Sequence, residues 1–264
     1  MTYSARLDQA FDEAAGFRNW RRQPSPRSAF RRAKRLEEQY GRRLRSIARH
    51  IGDLVRGFDL TDVFGVAGPL QAALRRYAEI LDPWARSVAD RMVKEVAAHD
   101  ETSWRKMSAD IGRNLRREIE TAPTGLVMRE SLERQVGLIK SLPLEAAQRV
   151  QKLTTEGITQ GRRAADIAAE LMETEKVSKS RATLIARTEV SRTATELTKA
   201  RALHVGSTEF IWRTAGDSDV RDTHRALNGK AFRWDDPPEC DPGHRALPGG
   251  IWNCRCYAEV VVPD

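Results

Sequence analysis

Cysteine is scarce in this chain and confined to one end. Cys240, Cys254 and Cys256 all fall within the last 25 residues. An odd, clustered set of three argues against the disulfide framework of a small secreted domain. No apolar run approaches the roughly 18 residues needed to span a bilayer. The opening residues, Met1-Thr2-Tyr3-Ser4-Ala5-Arg6-Leu7, lack a basic-then-apolar signal pattern. These absences lead to the expectation of a protein made in the cytoplasm, with no membrane partner. With 264 residues the chain suits one large domain or two moderate ones. Its 40% hydrophobic and 31% charged residues suit a helix-rich protein with a charged surface.

The net charge of +8 is unevenly placed. Between Arg18 and Arg49 twelve Lys or Arg face only Glu37 and Glu38, so the remainder of the chain is slightly acidic. Such a segment can meet phosphates or an acidic protein face, or it can be a solvated helix face. Arg31, Arg32, Arg35, Arg42, Arg43 and Arg45 are its candidate contacts to nucleic acid or a partner.

Helical periodicity dominates the first two hundred residues. A short amphipathic helix is expected over 3–17, and Pro24 and Pro26 interrupt the pattern. A long stripe follows, with Phe30, Ala33, Leu36, Tyr40, Leu44, Ile47, Ile51, Leu54 and Phe58 at steps of three and four. A break is expected from Gly57 to Gly68, and Asp82-Pro83 reads as a helix start. Further helices are expected near 103–120, with Ile111 on the apolar edge, and over 128–140, 144–158 and 163–173. Pro143 and Gly161 would mark the junctions. In a helix over 178–203, Arg187 and Glu189 lie two residues apart and cannot face each other. Each needs a partner elsewhere, and the following tail is the expected source.

The pattern changes near residue 205. Phe210-Ile211-Trp212, Ala231-Phe232-Arg233-Trp234 and the run from Cys256 to Val262 read as strands. Asn228-Gly229 reads as a tight turn. Trp212, Trp234 and Trp252 are the expected core of this tail. The fold class is therefore a mainly α N-terminal region with a small α+β C-terminal domain. The divisions are 1–128, a basic helical region; 129–204, a helical lead-in; and 205–264, the tail with the Cys/His cluster.

The tail opens with Trp212-Arg213-Thr214-Ala215-Gly216-Asp217-Ser218-Asp219-Val220-Arg221-Asp222-Thr223-His224. Asn228-Gly229 follows, and the tail closes with Trp252-Asn253-Cys254-Arg255-Cys256. Together with Ala186-Arg187-Thr188-Glu189, these motifs resemble the phage Mu F-like head-morphogenesis family, the minor head proteins of tailed bacteriophages. Leu138 to Pro143 and Gly161 to Leu171 resemble that family's lead-in, so the likeness covers about 130–264. The resemblance implies a virion-assembly protein rather than an enzyme, found in the host cytoplasm during assembly and then inside the procapsid or virion. It implies docking on the portal complex, contact with other head proteins, and in some phages an effect on DNA packaging.

Thiolates and imidazoles hold zinc, and His224, Cys240, Cys254, Cys256 and His244 are the candidate ligands of a structural zinc ion. Four protein ligands would leave no place for an activated water. The alternative is that His224 and the Cys-Arg-Cys turn are packing and hydrogen-bonding groups. Asp217, Asp219, Asp222 and His224, with His244, also admit a metal-dependent nuclease or hydrolase, although carboxylates beside Ser, Gly and Arg commonly form turns and caps. A stand-alone nucleic-acid-binding protein, acting through residues 18–49, is the third reading. Arg187, Glu189, Asp219 and Arg221 are expected in a structural polar link.

Overall fold

The computed structural model describes residues 33–110 and 114–262. The helix expected over 3–17, the Pro24 and Pro26 interruption, Phe30, Arg31, Arg32 and Ile111 lie outside the described residues. The helices are α1 (Lys34–Arg56), α2 (Val63–Ile80), α3 (Asp82–Asp110), α4 (Arg116–Thr121), α5 (Thr124–Gln160), α6 (Ala164–Met172) and α7 (Thr174–His204). They precede β1 (Glu209–Arg213), α8 (Asp222–Leu227), β2 (Ala231–Arg233), β3 (Glu239–Asp241), β4 (His244–Arg245) and β5 (Tyr257–Val260). A helical majority followed by small antiparallel strands is the fold class read from the sequence.

Three of the expected helix boundaries move. The break after Gly57 closes earlier, because the Asp62 carboxylate accepts the Gly65 N–H at 3.0 Å and caps α2 there. No helix begins at Ser103, since neither proline nor glycine interrupts α3 between Trp84 and Asp110. Pro143 lies inside α5 rather than between two helices. A proline in a helix interior costs about 3 kcal/mol. The stripe Val136, Ile139, Leu142, Ala146, Val150 and Leu153 stays buried on both sides of it. Each large apolar side chain so buried returns roughly 1.5–3 kcal/mol, so the helix runs through.

The chain forms two compact units. One is wholly helical and comprises 33–96 and 128–193. Its core is built from Leu44, Ile47, Ile51, Leu70, Leu74, Val88, Ile139, Val150, Ile167 and Ile185, all at most 3% exposed. Small residues on α1 set how closely α7 approaches. A Cβ on Gly41 would meet the Ala186 Cβ at 3.4 Å, and one on Gly52 would lie 2.8 Å from the Glu175 Cβ. Below the apolar contacts, the Tyr40 hydroxyl donates to Gln135 at 3.0 Å, and Gln135 donates to the fully buried Glu189 at 2.7 Å.

The other unit comprises, among the described residues, 97–127 and 194–262. Its three-stranded antiparallel sheet has the order β2-β1-β5, and β3 and β4 form a separate ribbon. Phe210 pairs with Phe232 and Val260, and Trp212 pairs with Ala258. Phe210, Trp212 and Trp234 pack with Trp104, Met107, Leu115 and Ile119 in one core. Trp252 is 41% exposed and stands outside it, which corrects the expectation of three tail tryptophans in the core. The unit also buries an ion pair. Asp100 accepts from Arg201 at 2.9 Å and from the Thr198 hydroxyl at 2.6 Å.

Two stability measurements follow from these contacts. Gly52→Ala gains roughly 1 kcal/mol of helix propensity, but it overpacks the Glu175 contact at about 1–3 kcal/mol. A net loss is expected, read as a lower denaturation midpoint of the helical unit. The second concerns Asp100, whose carboxyl burial pushes up to about 6, with Thr198 and Arg201 opposing the shift. A carboxyl raised on folding stabilises the folded state while protonated, and that contribution disappears as pH rises through about 6. From pH 4 to pH 7, wild-type stability measured against Asp100→Asn should fall by on the order of 3 kcal/mol.

Candidate functional site

Three of the five expected ligands meet. His224 sits on the short helix α8, Cys254 follows a tight turn, and Cys256 leads into β5; all three are buried. The His224 Nδ1 lies 3.5 Å from the Cys254 sulfur and 3.4 Å from the Cys256 sulfur. Among the described residues no other group of three His, Cys, Asp or Glu side chains is gathered so closely. Cys240, on β3, is buried in the same core, and its thiol donates to the His244 carbonyl at 3.4 Å. His244 itself is exposed on β4 and stands outside the group.

Local backbone explains the meeting. Pro248-Gly249-Gly250 turns the chain, with Gly249 at φ 80° and Asn253 at φ 60°. These left-handed residues let the Gly249 N–H reach back to the Cys254 sulfur at 3.2 Å. The Thr195 hydroxyl at the end of α7 donates to the Pro248 carbonyl at 2.7 Å and fixes the loop from below. On its other side, Arg255 binds Asp217 at 2.5–2.6 Å and Asp219 at 3.3 Å. Arg221 donates to the Trp252 carbonyl at 3.0 Å. The loops that carry the sulfurs are thus held by guanidinium groups.

The sulfurs share a proton unevenly. A bond from Cys256, with help from His224 and the backbone N–H groups of Cys256 and Gly249, brings the Cys254 thiol down to about 5 against the effect of burial. The same bond and burial push Cys256 up. The far side of the imidazole is also prepared. His224 Nε2 is buried without a hydrogen-bond partner, and an Asp241 carboxylate oxygen lies 3.7 Å away. Asp241 is itself held by the Thr223 hydroxyl at 2.8 Å. A carboxylate behind a ligating histidine orients the ring and fixes its tautomer.

The acids named for a hydrolase do not join this group. Asp217 and Asp219 are engaged by Arg255, and Asp222 is fully exposed at the start of α8 with Arg225 3.9 Å away. Of the polar link, Arg221 and Asp219 serve the tail loops as described. The partners of Glu189 are Arg134 and Arg192, each at 3.0 Å, and Gln135; Arg187 reaches Glu37 at 3.4 Å. These partners lie on α1, α5 and α7 instead of in the expected tail. On the basic helix, Arg42 and Arg43 line a groove of about 500 Å³ with Arg91, Tyr40, Met92 and Glu95. Arg35 is exposed there, and Arg45 is partly covered.

Sequence reasoning passed over Asp241, Arg255 and Thr195 as site residues. Asp241 had a signal, since it adjoins Cys240, but Asp217, Asp219 and Asp222 drew attention by their spacing. Arg255 figured only as part of the closing Trp-Asn-Cys-Arg-Cys motif.

A buried Cys/His group on a small α+β module is thus the class of site this chain carries. The family model described as phage Mu protein F like protein matches residues 148–259, so the resemblance drawn from the motifs holds over that stretch. The chain is also similar to an uncharacterized protein of Haemophilus influenzae, 33% identical over 129 residues. That match covers 49% of this chain and 28% of the relative's length. No solved structure matches the chain significantly.

Asn253 offers a test of the loop. A β-branched residue at a left-handed position costs about 1–2 kcal/mol. Asn253→Val is expected to lower the thermal midpoint of the tail-containing unit and to increase thiol reactivity of Cys254. Asn253→Gly should do so less.

Proposed function

We infer that this protein acts in the assembly of a bacteriophage head, as a minor head component that docks on the portal complex and contacts other head proteins. The observation that carries this reading is the phage Mu F-like match over 148–259. The match spans the end of the helical unit and the strands, short helix and Cys/His loop of the other unit. A densely cross-braced module fits a component that must keep its shape within a large shell. The exposed Trp252 ring beside the sulfur-bearing loop is an apolar contact of the type that interfaces favour. The described acids are engaged elsewhere or solvated, and no observation favours a hydrolase.

DNA contact belongs to the same reading, through the face of α1 bearing Arg35, Arg42, Arg43 and Arg45. Among the described residues, neither the Arg42 nor the Arg43 side chain has a hydrogen-bond or ion-pair partner, and their groove contains a single carboxylate, Glu95. Guanidinium groups placed in this way hold phosphates without reading sequence.

The experiment is co-expression with the head genes of the encoding phage, followed by isolation of procapsids. The protein should co-sediment with procapsids that contain a portal and be lost from those assembled without one. Its absence from portal-containing particles would overturn the docking reading. For DNA, retention by the full chain should fall steeply with salt, and Arg42→Glu with Arg43→Glu should reduce the log–log salt slope by about 2. An unchanged slope would remove DNA from the partners while leaving the head assignment standing.

A further inference from the structure

We propose that His224, Cys254 and Cys256, joined by Cys240, form a closed zinc site that fastens the tail module. The first argument is geometric. With zinc–sulfur bonds of about 2.3 Å and a zinc–nitrogen bond of about 2.0 Å, a tetrahedral ion sets its nitrogen and sulfur ligands about 3.5 Å apart. The two observed separations are 3.5 and 3.4 Å. These two separations therefore match those a bound ion would set.

The second argument is the unpartnered histidine. His224 is 2% exposed, and its Nε2 has no hydrogen bond, although a buried imidazole N–H ordinarily requires one. If Nδ1 binds the ion, Nε2 must carry the proton, and it then points to the Asp241 carboxylate 3.7 Å away. A small closing movement completes that bond.

The fourth ligand is Cys240. It is 1% exposed and lies in the same core cluster. Its thiol makes only a weak bond to the His244 carbonyl, and β3 is irregular in register between Glu239 and Asp241. The Cys240 sulfur stands outside the group of three ligand atoms that lie within 4.8 Å of one another, so its side chain must swing towards them to close the site. Asp241 is the other nearby donor, but it lies behind the imidazole, on the side away from the sulfurs. Three thiolates and a histidine leave no open position, so the site holds structure and activates no water.

The test is made on the full chain, purified without chelators and without a metal-affinity tag. Close to one zinc per chain is expected, with a first shell of three sulfurs and one nitrogen by X-ray absorption. His224→Ala and Cys254→Ser should each lower the zinc content at least tenfold, and His244→Ala should leave it unchanged. The absorption measurement on the wild type stands even where a variant fails to fold. Two sulfurs with nitrogen and oxygen would overturn the role of Cys240. Less than a tenth of an equivalent of zinc, with thiol reactivity unaffected by added zinc, would overturn the site. This outcome is independent of the head-assembly reading, whose test requires no metal.

Discussion

The tail module depends on a single constraint: a loop and a helix must bring two sulfurs and an imidazole together inside an apolar core. His224 is 2% exposed, and its ring meets Trp212 edge-on with centroids 5.5 Å apart. The three residues are buried, so their polar atoms must satisfy one another or a shared cation. Everything around it serves that geometry. Left-handed Gly249 and Asn253 bend the loop, Thr195 anchors it from α7, and Arg221 and Arg255 hold it from the 217–221 stretch. The neighbouring strands, three to five residues long in the sheet, are too short to impose such an arrangement by hydrogen bonding alone.

The helical unit solves a different problem by a related device. Glu189 is fully buried, and Arg134, Arg192 and Gln135 surround it. Removing one partner of such a group leaves a charge without solvent, at a cost of several kcal/mol, although the intact group adds little net stability. Its effect is on register. Tyr40 of α1 meets Gln135 of α5, and Gln135 meets Glu189 of α7, so three helices are aligned by one polar chain. A slip of one residue in any of them would strand the carboxylate. The Ala-Arg-Thr-Glu motif therefore works inside the helical unit, although its sequence position beside the tail suggested otherwise.

What the sequence made legible, and what it hid, follows from the range of each interaction. The stripes of α1, α5 and α7 and the three sheet strands depend on short periodicities and were readable. Gly161, at φ 63°, ends α5 as expected. Pro143 was misleading because a local penalty was outweighed by burial that only the folded stripe reveals. In the site, His224, Cys254 and Cys256 were legible because few residue types do this chemistry. Cys240 and His244 were alternatives from one loop, with His244 beside Gly243 the weaker candidate, and β3 and β4 leave the first buried and the second exposed. Arg255 and Thr195 act through contacts 38 and 53 residues away in sequence, and no local pattern carries that information.

The same reasoning bears on where the module begins. Residue 205 marks a change of secondary structure, yet the core beneath the sheet does not start there. Trp104 and Met107 come from α3, Ile119 from α4 and Leu115 from just before it, about a hundred residues before the strands they cover. Trp104 and Leu115 are at most 1% exposed, and burying side chains of that size contributes roughly 1.5–3 kcal/mol each. Asp100 is likewise tied to Thr198 and Arg201 at the end of α7. A segment taken from residue 205 onward would expose Phe210, Trp212 and Trp234 on the face these residues cover. The family match begins at 148, within α5, and so omits α3 and α4 altogether. Part of the apolar support for the matched stretch is therefore supplied by residues that lie outside it.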